Sequence, residues 1–243
     1  MKRNFKKIIL TIRVALPLTL LGGLATAVIV GCETPQPAKK TALVKGVTRY
    51  MEPPHTEDYR RYLKTRRLVP VREIAPDVRI SLAYATKNNI AGRSLYSPGM
   101  SCRLDESTAQ KLAKAQAELR KQGLGLKIWD AYRPFSVQRQ LWKAAGGSVY
   151  VADPNLWTSK HCSGRAVDVT LVDYETGREK RMPSRFDDFT KQAASNYTGS
   201  DPEVRRNLRA LQGAMRHAGF KQIDMEWWHF ANMEFYSYNI PAL

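Results

Sequence analysis

Two stretches of this chain carry the residue types that hold a divalent cation. The first is SKHCSGRAVDVTL, residues 159–171, in which His161 and Asp168 flank Gly164. From Arg165 to Leu171 the pattern is that of a strand, with Val167, Val169 and Leu171 directed to a core and Ala166, Asp168 and Thr170 directed the other way. A carboxylate among β-branched residues needs a partner, because an unpaired buried charge is costly. A histidine just upstream, on a loop loosened by glycine, can share a metal ion with it. On this stretch alone, a surface histidine and an ion-paired aspartate explain the same residues.

The second stretch is DMEWWHF, residues 224–230, where Glu226 and His229 stand three residues apart. A catalytic zinc takes three protein ligands and keeps one position open for water. His161, Asp168 and His229 supply that count. Glu226 is left over beside the third ligand, free to act as a base on the water. Taken alone, the two tryptophans also read as core, with Glu226 and His229 incidental.

Together the motifs are specific. SxHxxGxAxD followed by EWWH, with DAYRP at residues 130–134 between a strand and a helix, resembles the zinc D-alanyl-D-alanine dipeptidases of the vancomycin-resistance type. That group of D,D-peptidases shares a fold with the hedgehog signalling domain. The resemblance covers roughly residues 66–235 and implies an α+β domain: a small, mainly antiparallel sheet flanked by helices, with one zinc ion in a cleft on one sheet face. It implies that His161, Asp168 and His229 bind zinc and that Glu226 is the general base. Arg133 would stabilise the oxyanion, for which a permanently charged, forked donor is suited; an ordinary salt bridge to Asp130 or another acid is the alternative. It places Tyr84, Asp187 and Ser159 among the substrate-binding residues, with Asp187 holding the ammonium group of a free dipeptide. Tyr84 also reads as a core tyrosine, and Asp187 and Asp188 as surface acids. Residues 146–158 form a shorter loop than in those dipeptidases, which leaves a more open cleft and puts strict dipeptide selectivity in question.

Several elements must position these residues. Val78, Ile80, Leu82 and Tyr84 alternate as in a strand. Asp105 or Ser107 caps a helix running to about Gln122, stopped by Gly123. Leu124–Trp129 reads as a strand leading to DAYRP. Phe135 to about Ala145 and Pro202–Ala218 read as helices, with a turn at Glu175-Thr176-Gly177 between them. Ile223–Phe230 returns the chain to the site. His217 suits a helix C-terminus better than a fourth ligand, and His55 reads as solvated.

The chain is strongly basic, with a formal net charge of +17. Residues 1–31 contribute Lys2, Arg3, Lys6, Lys7 and Arg13 and no acid, and Val14–Val30 is an uncharged apolar run. This is the pattern of a secretory leader. It ends Ile29-Val30-Gly31-Cys32, similar to the lipobox of bacterial lipoproteins, in which Cys32 would be lipidated; an uncleaved membrane anchor is the alternative. The expected organisation is a signal peptide (1–31), a lipid-anchored tether (32–65) and a zinc peptidase domain (66–243), exported to the cell envelope. The basic remainder then meets anionic wall or lipid, and no nucleic-acid partner is expected. Cys102 and Cys162 can form a disulfide, remain free thiols or, for Cys162, ligate metal, ranked in that order.

The expected function is zinc-dependent hydrolysis of D-Ala-D-Ala. A D,D- or L,D-carboxypeptidase acting on peptidoglycan stem peptides would use the same chemistry. A wall-binding lipoprotein without catalysis is a rival of another class, against which Glu226 and Arg133 both argue.

Overall fold

Apolar alternation in three long strands builds the sheet on which the site stands. The computed structural model describes residues 57–155 and 159–234. In chain order the elements are α1 (Glu57–Thr65), β1 (Leu68–Pro70), α2 (Val71–Ile74), β2 (Arg79–Ile80), β3 (Arg103–Asp105), α3 (Glu106–Arg120), β4 (Leu124–Asp130), α4 (Phe135–Ala144), β5 (Ala166–Asp173), α5 (Pro202–His217), β6 (Phe220–Ile223) and β7 (Glu226–Asn232). The main sheet has the order β2-β4-β5-β7-β6. Only β2 runs parallel to its neighbour; the other pairings are antiparallel. β1 and β3 form a separate antiparallel ribbon. This is the α+β arrangement the motifs imply.

The register sorts the two faces. Leu126 pairs with Leu171 and Ile128 with Val169, so these four side chains share one face, and all are fully buried. Leu112, Ala115 and Leu119 of α3 and Leu208, Leu211 and Met215 of α5 belong to the same core. The opposite face carries Thr170 opposite Lys127 and, across the next ladder, Asp168 opposite His229. The sheet therefore separates a dry helical layer from the face that bears the site. A second apolar cluster of Tyr84, Leu95, Tyr96, Val137, Leu141 and Val151 packs beside it.

Local chemistry explains the helix ends. The Asp105 carboxylate accepts from the Ser107 N–H at 3.2 Å, capping α3, and Gly123, at φ +68°, turns the chain after it. Gln116 on α3, itself buried, accepts from the Leu126 N–H at 2.8 Å and ties helix to strand. Asp201 caps α5 by accepting from Glu203 and Val204 N–H, with Pro202 in the first turn.

Three features differ from expectation. The alternating Val78–Tyr84 stretch forms strand only at Arg79–Ile80, and Tyr84 lies in a 3-10 turn, Ala83–Ala85, where its side chain is buried in the second cluster. Cys102 and Cys162 are buried and unbridged rather than disulfide-linked; burial pushes the Cys102 thiol up to about 12. Within the stretch read as tether, α1 is folded onto the domain. Its Tyr62 hydroxyl donates to Asp105 at 3.1 Å, and the Arg165 guanidinium carbon lies 5.4 Å from the Tyr62 ring centre. The apolar run, Cys32 and His55 lie outside the described residues. No helix among the described residues is long and apolar enough to cross a membrane.

Gly164 ends the His161 turn with φ +79°, and a Cβ there would lie 2.5 Å from Leu68 Cδ2 and 2.8 Å from the Asp105 backbone nitrogen. Gly164→Ala therefore meets both left-handed strain and a clash with backbone that cannot swing away. It is expected to cost about 2–4 kcal/mol of stability. A urea melt checks this: an unchanged midpoint would mean that the turn relaxes freely.

Candidate metal centre

His161 is positioned by a one-turn 3-10 segment, Lys160–Ser163, whose preceding residue Ser159 accepts from the His161 N–H through its hydroxyl at 3.3 Å. Ser159 thus holds the turn that presents the histidine. The imidazole Nδ1 lies 2.8 Å from the Ala131 carbonyl oxygen. That acceptor keeps the proton on Nδ1 and leaves the Nε2 lone pair free, the second-shell pattern of a metal-binding histidine. Asp168 and His229 are brought together by strand pairing, as cross-strand neighbours on β5 and β7.

The three side chains converge. His161 Nε2 is 3.3 Å from Asp168 Oδ1 and 3.1 Å from His229 Nδ1, and His229 Nδ1 is 3.0 Å from Asp168 Oδ1. A tetrahedral zinc with bonds of about 2.0–2.1 Å spaces its ligands about 3.3 Å apart. The triangle fits that spacing. With the His161 proton on Nδ1, its Nε2 lone pair faces a carboxylate oxygen and the second imidazole, the donor set zinc takes. These three are the metal-binding group found among the described residues. Burial opposes ionisation of Asp168, but the two imidazoles outweigh it and hold the carboxyl below its ordinary range. Burial also lowers the His229 pKa, which favours the neutral, ligating form.

Glu226 stands at the start of β7, 92% buried, with Oε2 3.9 Å from His229 Nδ1. It is next to the triangle but not part of it. Arg133 is buried as well. Its Nε and Nη2 donate to Asp130 Oδ2 at 2.9 and 2.6 Å and its Nη1 to Gln138 at 2.7 Å. Nη2 also lies 3.8 Å from Asp168 Oδ2. The guanidinium is thus fixed beside the metal centre. Its carbon sits 4.9 Å from the Tyr84 ring centre.

Tyr84 continues the chain of contacts outward. Its hydroxyl donates to Asp187 Oδ1 at 3.1 Å, and the Ile90 N–H donates to Asp187 Oδ2 at 3.0 Å. Asp187 adopts φ +57°, a left-handed conformation that aspartate tolerates better than most residues. It also lines an open cleft of about 760 Å³ with Trp129, Phe186 and Asp188. Asp188, the alternative acid, hydrogen-bonds through its backbone to Arg185 and Thr190.

Sequence reasoning named Asp130 only as an alternative ion-pair partner of Arg133, and gave Tyr96 and Gln138 no part in the site. Asp130 is the hub. It accepts from Arg133 on one oxygen and from the Tyr96 hydroxyl on the other, with Oδ2 also 3.2 Å from His161 Nδ1. Gln138 links Arg133 to the Ala152 carbonyl of the loop after α4. The position of Asp130 at a strand end, three residues before an arginine, was the available signal. Tyr96 and Gln138 offered none, since they look like an ordinary loop tyrosine and a polar helix residue.

A family profile described as D-ala-D-ala dipeptidase, of peptidase M15, matches residues 64–241. The chain belongs to the peptidase M15 family. Among its M15 relatives, the D-alanyl-D-alanine dipeptidase of Escherichia coli (strain K12) is 36% identical over 178 residues, covering 73% of this chain and 91% of that protein. The enzyme of the same name from Enterococcus faecium is 30% identical over 178 residues, covering 65% and 87%. A crystal structure of a vancomycin-resistance D,D-pentapeptidase in complex with Zn(II) is also similar, at 16% identity and a TM-score of 0.37, covering 56% of this chain and 76% of that one. This M15 chain is a metallopeptidase of the D-Ala-D-Ala dipeptidase class, with a zinc site at His161, Asp168 and His229.

Proposed function

We propose that this enzyme hydrolyses free D-Ala-D-Ala in the bacterial cell envelope, to which a lipidated Cys32 tethers it. The observation that carries the catalytic reading is Glu226: a buried carboxylate on the same strand as His229, beside the three ligands and outside them. His161, Asp168 and His229 would hold the zinc ion, which when bound would supply Lewis-acid chemistry toward the scissile carbonyl and the attacking water. Glu226 takes a proton from the attacking water and returns it to the leaving amine. Arg133, held rigid by Asp130 and Gln138, contributes fixed positive charge where negative charge develops. Asp187, steadied by Tyr84, holds the substrate's ammonium group. The leader-like residues 1–31 and the lipobox-like Ile29–Cys32 support the envelope location.

Incubating zinc-loaded protein with D-Ala-D-Ala and with a pentapeptide ending in D-Ala-D-Ala, and following released D-alanine, tests the substrate. Preferential turnover of the dipeptide is expected. Faster release from the pentapeptide would make the enzyme a carboxypeptidase, and no release from either would end the catalytic reading. Labelling cells with a radioactive fatty acid tests the tether, since Cys32→Ala should abolish incorporation.

Asp187 gives the reading a pH signature. Burial pushes its carboxyl up to about 6, against the Ile90 N–H and the Arg133 charge, which lower it. Below that pH the group is neutral and loses its attraction for an ammonium ion. KM for the dipeptide is therefore expected to fall as pH rises through about 6. In Asp187→Asn, which suits the left-handed backbone, KM should be high and flat over the same range. An unchanged acid limb in that variant would assign the titration elsewhere.

A further inference from the structure

The helical layer behind the sheet carries a charge pattern that catalysis does not use. On α5, Val204, Leu208, Leu211 and Met215 are buried on the core side. At about 100° per residue, Arg205, Arg206, Arg209 and Arg216 fall within a single arc of about 100° on the other side. All four are exposed. Among the described residues none of their guanidinium groups has an ion pair or hydrogen bond, and the helix's one acid, Glu203, faces Arg181 at 3.4 Å. Arg205 and Arg209 are like charges one turn apart, a spacing that disfavours the helix slightly. Lys114 on α3, which packs against α5, is a further exposed cation. Among the described residues, the large apolar side chains that are exposed, Ile90, Phe135 and Val149, lie on neither helix. This surface is suited to phosphate-bearing headgroups and not to insertion among acyl chains.

We propose that the arginine face of α5 docks the domain onto an anionic lipid bilayer. The partner is chosen on charge complementarity and on the apolar run Val14–Val30 followed by Gly31 and Cys32, so the proposal rests on the envelope reading for its bilayer. Each arginine near an anionic surface strengthens binding by about fivefold. That is individually weak, but it is enough to orient a domain already tethered. The orientation has a consequence. α5 packs against the sheet face opposite Asp168 and His229, so docking turns the catalytic cleft away from the bilayer and toward soluble substrate.

The test is co-sedimentation of the full chain with vesicles of phosphatidylcholine alone or mixed with phosphatidylglycerol, at low and high salt. The apolar run binds both compositions alike, so the difference between them reads the charged contact. Wild type should prefer the anionic vesicles at low salt and lose the preference at high salt. Replacing Arg205, Arg206, Arg209 and Arg216 together by Glu should weaken binding to anionic vesicles by about a hundredfold or more, with D-Ala-D-Ala hydrolysis unchanged. Should that variant fold poorly, the fourfold Gln variant makes the same comparison. Retention of the wild-type preference by the variant overturns the proposal and assigns the contact to the basic N-terminal residues. Tighter binding to duplex DNA than to anionic vesicles in the same buffer also overturns it. Vesicle docking without fatty-acid labelling of Cys32 would leave the face in place and remove only the tether.

Discussion

Glu226→Gln is expected to lower kcat on D-Ala-D-Ala by about two to four orders of magnitude while zinc content stays stoichiometric. Gln preserves the volume of a side chain that is 92% buried at the start of β7, so packing is not disturbed. What it removes is the proton acceptor beside the ligand triangle. Glu226 lies 3.9 Å from His229 Nδ1, too far for a hydrogen bond to that ligand, which separates its loss from loss of metal. Steady-state kinetics paired with elemental analysis of the same preparation decides the matter. A kcat within about tenfold of wild type, with zinc bound, would mean that another group moves the proton.

Asp168→Asn should produce the opposite pairing, with metal and activity lost together. Asp168 is the anionic member of the set, placed 3.3 Å from His161 Nε2, 3.0 Å from His229 Nδ1 and 3.8 Å from Arg133 Nη2. An amide is a weak ligand, and its NH₂ end would face two imidazoles and a guanidinium. Zinc affinity is expected to fall by more than about a hundredfold, beyond the effect of losing an outer-shell partner. Calorimetric titration measures that directly. Thermal stability gives an independent readout, because a ligand that binds only the folded state raises stability by about 4 kcal/mol at a thousandfold excess over Kd. Added zinc should therefore raise the melting temperature of the metal-free wild type and leave Asp168→Asn nearly unmoved. An equal rise in both would remove Asp168 from the ligand set.

The two substitutions affect the site differently because the residues reach it differently, and the same distinction explains what the sequence could reveal. Val167, Val169 and Leu171 alternate so regularly that β5 was legible, and with it the face on which Asp168 stands. Helices α3, α4 and α5 were legible to within a residue or two, because each combines a 3.6-residue apolar period with a readable end: Asp105 and Gly123 for α3, Pro134 before α4, Pro202 and Gly219 for α5. The turn around Tyr84 was not. Its alternation mimics a strand, but after Ile80 the chain leaves the sheet edge to bury the tyrosine against Tyr96 and Phe186. The folding of α1 was also missed. Tyr59, Tyr62 and Leu63 have helical spacing, but they stand alone in a short charged segment, and the contacts that hold it, Tyr62 to Asp105 and to Arg165, are made with residues far along the chain.

By itself the amino-acid sequence determined the donor types and their order, because histidine, aspartate and glutamate at these spacings have few other uses in combination. It also determined the alternating strand that carries Asp168. Only the tertiary structure decided that Arg133 is held by Asp130 and Gln138, that Tyr96 closes the other side of Asp130, that the cysteines stay apart, and that α5 turns its arginines outward behind the site. Those outcomes depend on side chains separated by tens of residues meeting in one small volume. Hydrogen bonds and ion pairs act over a few ångströms of space, and distance along the chain does not encode that proximity.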